Sequence, residues 1–437
     1  MATEMKKIRN FLIESAAPLL AAAMLLSIST NLRSAAFPVG PGELMLLALA
    51  VMGFLYGHLQ RVWKTPMFLF WCPVLLCMAA GALLGPLNGN MNQHHAMAYA
   101  FASLVTVGLS LLMIELTDAA LRKTITWLCS LTAVFLWFGF IIYLSGDLGL
   151  ANKLNMTNLG DLRYSGWSVN PNQLALFFVP LPVWLVALWR NVDMPTRFHT
   201  ALYGVLLFAL MLMGLLVRSD GLFLVWLFEF VILIFLRLRW EMKANRSSLL
   251  AYAAMMVLCA FLVKTFAHGE MRKSVKCAIE TISQGEGLWS SKCYDGQSFK
   301  DQKAFRIGYS DPLQKTGVRQ EHWMNGLQSW SQSPWIGHGP GEYSWNSIGN
   351  EKESHNITID LLTQGGVLAG VAWIALIFYL LINAWRIRDS YTFSVVLMMA
   401  VFTFFHNTRQ PYFWFVLAFS HEAIRRRLFV SLLLDKA

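Results

Sequence analysis

Residues 351–385 read EKESHNITIDLLTQGGVLAGVAWIALIFYLLINAW. The stretch opens polar and turns predominantly apolar from Ile357, for longer than the roughly 20 residues a helix needs to cross a bilayer. His355 and Asn356 stand at that boundary. Histidine is the side chain most often used to move a proton near neutral pH. At a water–membrane boundary it is placed to meet a substrate with a lipid tail and a polar head. Position alone also allows a plainer role, as a helix-start residue bonded to the backbone.

Working outward, the pattern repeats. The chain has 437 residues, of which 56% are hydrophobic and only 14% charged, against about a quarter charged in soluble domains. Its mean hydropathy is +0.48. Apolar runs suited to membrane helices fall at roughly 10–29, 43–58, 66–88, 96–115, 125–145, 173–189, 199–217, 221–238, 247–266, 357–384, 391–405 and 411–424. The expectation is an all-α polytopic membrane protein of about 12 transmembrane helices, with a large loop between spans nine and ten. The first run follows MATEMKKIRN without a small-residue cleavage site and reads as a retained span.

A net charge of +10 could suggest nucleic acid, but its distribution argues against that partner. More than half of the 35 basic residues fall in alternate loops and the two termini: Lys6, Lys7 and Arg9; Arg61 and Lys64; Arg122 and Lys123; Arg190 and Arg197; Arg237, Arg239, Lys243 and Arg246; Arg386 and Arg388; Arg425, Arg426, Arg427 and Lys436. The short loops between them hold only Arg33, Lys153, Arg163, Arg218 and Arg409. Under the positive-inside rule both termini are cytoplasmic and segment 267–355 is external. The chain then divides into an N-terminal transmembrane scaffold (1–145), central transmembrane helices with external loop segments (146–266), an external loop domain (267–355), and C-terminal transmembrane helices with a cytoplasmic tail (356–437). Four cysteines lie in the apolar runs, where packing is the simplest role. The other two, Cys277 and Cys293, lie in the external loop and could form a disulfide in an oxidising compartment; the alternative is two free thiols.

The external side collects arginines. Arg163 precedes span six, Arg218 ends span seven, Arg319 lies in the long loop and Arg409 precedes span twelve. The guanidinium fork matches phosphate oxygens and stays charged at any relevant pH. Several arginines and a histidine on one face suit an anionic lipid such as a lipid-linked pyrophosphate. Each also has a plainer reading: Arg163 paired with Asp161, Arg218 with Asp220, Arg319 stacked on Trp323, Arg409 snorkelling from a helix end. Asn172, after the Asn170-Pro171 turn signal, is a candidate helix cap or a sugar contact. In VRQEHWMNGLQSWSQSPW, Trp323, Leu327 and Trp330 recur at helical spacing, and Pro334 with the Gly337–Gly341 cluster ends that helix. A Trp-rich helix of this kind suits a membrane surface. His338, in the Gly-rich turn, reads as structural. Glu229 lies within an apolar run, where a carboxylate is either functional or hydrogen-bonded to a neighbouring helix. Gly366 and Gly370 have the spacing of a close helix–helix contact. The sequence contains no P-loop, HExxH or nucleophile elbow and no convincing metal-ligand spacing.

In order along the chain, RYSGWSVNPNQLALFF, VRSDG, RQEHWMNGLQSWSQSPWIGHGPGEY and HNITIDLLTQGGVLAGVAW resemble four motifs of the bacterial O-antigen ligase/polymerase family, whose members share a Wzy-type C-terminal module. The resemblance covers roughly residues 160–405. The long late loop and modest chain length look most like an O-antigen ligase. Two positions depart from the pattern: Arg218 is followed by Ser-Asp-Gly rather than Gly, and Gln364 stands where the family often has an acidic residue.

The resemblance implies a GT-C-like glycosyltransferase architecture in a Gram-negative inner membrane, with a periplasmic site. The donor would be O-antigen on undecaprenyl pyrophosphate and the acceptor lipid A–core, among membrane lipids. His355 would be the general base. Arg218 and Arg319, with Arg163, would hold the pyrophosphate, and Asn172, Asn356 and Arg409 are candidate sugar or acceptor contacts. Nearby arginines would favour a neutral His355, as a base requires. The scheme calls for no cofactor and no metal, because arginines can stabilise the departing charge. An O-antigen polymerase or a protein O-oligosaccharyltransferase would share the donor. A lipid-linked glycan transporter is the rival from another class, and it would be expected to show internal repeats, none of which is apparent.

Overall fold

The structure is a computed structural model that describes residues 2–32, 39–86, 92–145, 166–168, 171–190, 197–217, 219–240, 246–266, 312–345, 351–352, 354–404 and 410–430. The described residues form helices α1 (Ala2–Ile28), α2 (Pro41–Tyr56), α3 (Pro66–Leu84), α4 (Gln93–Glu115), α5 (Asp118–Ser145), α6 (Pro171–Phe178), α7 (Leu181–Arg190), α8 (Arg197–Leu216), α9 (Asp220–Arg239), α10 (Arg246–Phe266), α11 (Pro312–Gln332), α12 (Ile357–Arg386), α13 (Ser390–Phe402) and α14 (Pro411–Arg426). A two-residue antiparallel ladder, β1 (Ser344–Trp345) with β2 (Glu351–Lys352), is the extended element among them.

Six helical stretches are long and apolar enough to cross a membrane: Pro66–Leu84, Gln93–Glu115, Asp118–Ile142, Asn172–Trp189, Arg197–Leu216 and Ile357–Arg386. Five shorter apolar helices accompany them: Ser15–Ile28, Pro41–Tyr56, Gly221–Leu236, Leu249–Phe261 and Ser390–Phe402. The chain is a multi-pass membrane protein. Proline opens α2, α3 and α14, where its missing N–H would have had no helical partner in any case. The Thr65 hydroxyl caps α3, and the Asn92 side chain caps α4 through the amides of His94 and His95.

Small residues allow close crossings. α2 meets α4 where a methyl on Gly53 would sit 1.9 Å from the Gly108 carbonyl oxygen. α3, α12 and α14 share an aromatic core of Phe70, Trp71, Trp373 and Trp414. At one end of the bundle Arg426 donates to the carbonyls of Met113 and Ile114, which close α4, and to Asp118 and Glu422. Such pairing satisfies carbonyls that a helix end leaves open.

Two spans expected to be continuous are broken. The first breaks between α6 and α7. Pro182 has no N–H for the Phe178 carbonyl, and the Trp226 indole donates to that oxygen instead at 3.2 Å. The Tyr412 hydroxyl donates to the neighbouring Phe177 carbonyl at 2.9 Å. Asn172 is therefore the second residue of α6 rather than its cap, because the helix already begins at Pro171.

The second break lies inside α12, at Gly366, whose φ of 68° and ψ of −170° are not helical. Gly366 and Gly370 do not make the helix–helix contact suggested by their spacing. A methyl on Gly366 would lie 2.1 Å from the Trp335 carbonyl oxygen, and one on Gly370 would meet Leu362 of its own helix. The segment that docks at Gly366 is the turn after α11. His338 N–H donates to the Thr363 carbonyl at 2.9 Å, Gly339 N–H to the Gln364 carbonyl at 2.9 Å, and Val367 N–H to the Pro334 carbonyl at 2.8 Å. Polar backbone within a membrane protein has to be satisfied by protein, and here each half of the junction serves the other.

Gly366→Ala should therefore be strongly destabilising. Positive φ with extended ψ is a conformation that essentially only glycine adopts, a side chain there costs about 1–3 kcal/mol, and the clash with Trp335 adds to it. The expected result is a lower thermal midpoint for the purified variant, while Gly204→Ala, at a position with open space beyond it, stays near wild type.

Candidate functional site

His355 occupies the corner from which α12 starts. Its φ of 54° puts a non-glycine residue in the left-handed region, a conformation kept only where neighbours hold it. The holders are on both sides. Asn356 is the helix cap: its Oδ1 accepts the amides of Thr358 at 3.0 Å and Ile359 at 3.3 Å. Ser354 donates its backbone N–H to Asp360 Oδ1 at 3.0 Å and its hydroxyl to the same oxygen at 2.6 Å. The Ser354 hydroxyl oxygen in turn accepts the Asn356 amide at 3.2 Å. Ser354, Asn356 and Asp360 are buried, while His355 between them is exposed. The arrangement presents one imidazole outward from a fixed backbone.

Three other elements meet this corner. α11 packs on it so closely that a methyl on Gly326 would lie 2.7 Å from Ile359 Cγ2 and 2.9 Å from Ser344 Oγ. On the same helix His322 is buried, and its ring lies 6.0 Å from that of His355 at an interplanar angle of 84°. The end of α13 reaches the start of α12, where Ile357 N–H donates to the Thr403 carbonyl at 3.3 Å. The start of α9 is next to it: a methyl on Gly221 would meet the Phe402 ring at 3.8 Å.

The turn after α11 closes the far side. The His338 ring donates through Nε2 to the Ser329 carbonyl at 2.7 Å, and the Tyr343 hydroxyl donates to the His338 carbonyl at 3.0 Å. Buried in this way, His338 staples the turn, in keeping with a structural role. The same turn is tied to α4 by Asn92 N–H to the Pro340 carbonyl at 3.0 Å and by His95 Nε2 with Glu342 Oε1 at 3.2 Å.

Among the expected site residues, His355 and Asn356 lie together at this corner, with the Asn356 side chain engaged as a cap. Arg319 belongs to α11, three residues before His322. Asn172 is half-buried in the first turn of α6. Arg163, Arg218, Arg409, Cys277 and Cys293 lie outside the described residues. Among the described residues no group of three or more His, Cys, Asp or Glu side chains could hold a metal ion.

Three residues at this corner escaped the sequence reading: His322, Ser354 and Asp360. The signals were faint. His322 and Gly326 are spaced to share one face of α11, but the Trp323, Leu327 and Trp330 stripe is the stronger periodic signal in that stretch. Of that stripe Leu327 is exposed and Trp323 and Trp330 are half-buried, whereas His322 and Gly326 are buried.

Asp360→Ala should cost about 1–3 kcal/mol for each buried donor left without its acceptor. Asp360→Asn retains an acceptor oxygen and should cost less. Thermal unfolding of the two purified variants checks the order.

Compared with known proteins, residues 203–374 match the family model described as O-antigen ligase. That match supports membership of the family over this segment, which holds less than half of the chain. It includes α11, the turn that follows it, the His355 corner and the Gly366 break. Neither the curated proteins nor the solved structures give a match.

Proposed function

We propose that this chain, an O-antigen ligase family member over residues 203–374, is itself an O-antigen ligase. It would transfer O-antigen polysaccharide from undecaprenyl pyrophosphate to lipid A–core. About twelve spans would cross a bacterial inner membrane with both termini cytoplasmic and the His355 corner on the periplasmic side. The observation that carries the reading is His355 itself: exposed, held in a left-handed backbone by buried neighbours, at the head of an apolar helix and within the family segment.

The chemistry follows from the donor. Its anomeric carbon already bears a pyrophosphate, a good leaving group. His355 takes the proton from an acceptor hydroxyl as the oxygen attacks that carbon. The new carbon–oxygen bond forms as the bond to the pyrophosphate breaks, and the lipid pyrophosphate leaves with the electron pair. Direct displacement inverts the anomeric centre. Charge builds on the leaving oxygens, where Arg218 and Arg319, with Arg163, would bind more strongly as the reaction proceeds. Asn172 and Arg409 remain candidate contacts for sugar or acceptor. For Asn356 the cap geometry favours the helix over the sugar.

In vitro transfer tests the reading, with purified protein, undecaprenyl-pyrophosphate-linked glycan, lipid A–core and EDTA. Wild type should give product with the chelator present, and His355→Ala should lose about 10²–10⁴-fold in rate, the usual range for a general base. Wild-type activity in His355→Ala would remove His355 as the base. Arg218→Ala and Arg319→Ala should fold, lose transfer severely and bind donor weakly; normal donor binding in both would contradict the pyrophosphate role. A product lengthened on the donor lipid itself would identify a polymerase.

A further inference from the structure

The exposed side chains mark where the membrane ends. In α12 no residue between Ile357 and Val367 is exposed. From there on Leu368, Val371, Phe378, Ile382 and Trp385 face outward. At 1.5 Å per residue that stripe is about 26 Å long, close to the roughly 30 Å of a bilayer's hydrocarbon core. In α3 the outward residues Leu69, Leu76, Leu83 and Leu84 run to the helix end.

The turn after α11 lies where both stripes stop. A methyl on Gly85, which follows α3, would lie 3.0 Å from the Gly337 carbonyl oxygen, and Val367 N–H donates to the Pro334 carbonyl at 2.8 Å. Trp335 belongs to this turn and is 72% exposed. Its indole is thus uncovered at the edge of the apolar belt, the depth at which tryptophan collects in membrane proteins.

α11 leads into the turn with an outward face of matching chemistry. From Gln320 to Gln332 the exposed residues are Gln320, Met324, Leu327, Gln328, Ser331 and Gln332, and none is charged. A helix facing water sets charged and polar residues on its open side. Here Met324, at 60% exposure, and Leu327 stand in that position instead. Trp323 and Trp330, the indoles expected at a membrane surface, are half-buried, and Trp330 donates its N–H to the Pro334 carbonyl at 3.0 Å.

We propose that Met324, Leu327 and Trp335 form a lipid-contact surface that rests on the leaflet nearest the His355 corner. Trp335 lies at the hydrocarbon edge, and Met324 and Leu327 lie among the lipid headgroups. The occupant is bilayer lipid because the surface continues the outward stripes of α3 and α12 and carries no charge. The element that closes the His355 corner is thereby seated on the membrane, whichever residue acts as base.

The test places nitroxide labels on the full-length protein in lipid nanodiscs, in a variant whose native cysteines are replaced. Labels go on Met324→Cys, Leu327→Cys and Trp335→Cys, with Leu368→Cys as the lipid standard and Lys123→Cys as the aqueous one. Labels at 324, 327 and 335 should be relaxed more by oxygen than by a water-soluble nickel chelate, as at 368, and the label at 123 should show the reverse. Trp335 should read deepest of the three. Labels at 324 and 327 relaxed mainly by the chelate would leave α11 in water and overturn the proposal. So would labels reached by neither agent, which marks a face covered by protein. The labels at 324 and 327 decide the outcome even where Trp335→Cys does not fold.

Discussion

The structure depends on an exchange of backbone hydrogen bonds at one break in one helix. At Gly366 α12 leaves helical geometry, and the carbonyls of Thr363 and Gln364 accept the amides of His338 and Gly339. An open carbonyl within a membrane protein costs several kcal/mol, so a break of this kind survives only where another segment supplies donors. The turn after α11 does so, and the Pro334 carbonyl takes the Val367 amide in return. The junction needs glycine at Gly366 and allows nothing larger against the Trp335 carbonyl. It anchors the end of α11 on α12, as the close contact of Gly326 with Ile359 anchors its middle.

That relation matters because the two helices divide the work at the corner. α12 holds His355 from behind, through its cap Asn356 and through Asp360 in its first turn. α11 comes from the side and brings the buried His322 against the exposed ring. The left-handed backbone at His355 is a local cost that the buried Ser354–Asp360 bonds offset. The corner is therefore rigid where it meets the protein and open where it meets solvent. The proposed role for His355, a base meeting a large incoming acceptor, needs both properties.

Much of the fold was legible in the sequence. Apolar runs of helical length announced a multi-pass membrane protein, and the stretch from Val318 to Trp335 announced α11 and its end. The breaks were not legible, for a physical reason. Hydropathy reports how apolar a segment is and says nothing of where its carbonyls find donors. Residues 174–189 are apolar throughout, yet Pro180 and Pro182 divide them, and partners from distant helices, Trp226 and Tyr412, make the division tolerable. Gly366 looked like a helix contact for the same reason. At the candidate site, a boundary between polar and apolar sequence singles out His355. Nothing in the sequence singles out Asp360 or His322, because their contacts are closed by the fold: six residues along the chain in one case, another helix in the other.

In the proposed reaction His355 deprotonates an acceptor hydroxyl that displaces lipid pyrophosphate directly, with no covalent sugar intermediate on the protein. The measurement that tests it most directly is the anomeric configuration of the newly formed linkage, read by NMR on product made from a donor of known configuration. Direct displacement gives inversion. Retention would mean two successive displacements through a glycosyl intermediate, and would contradict it.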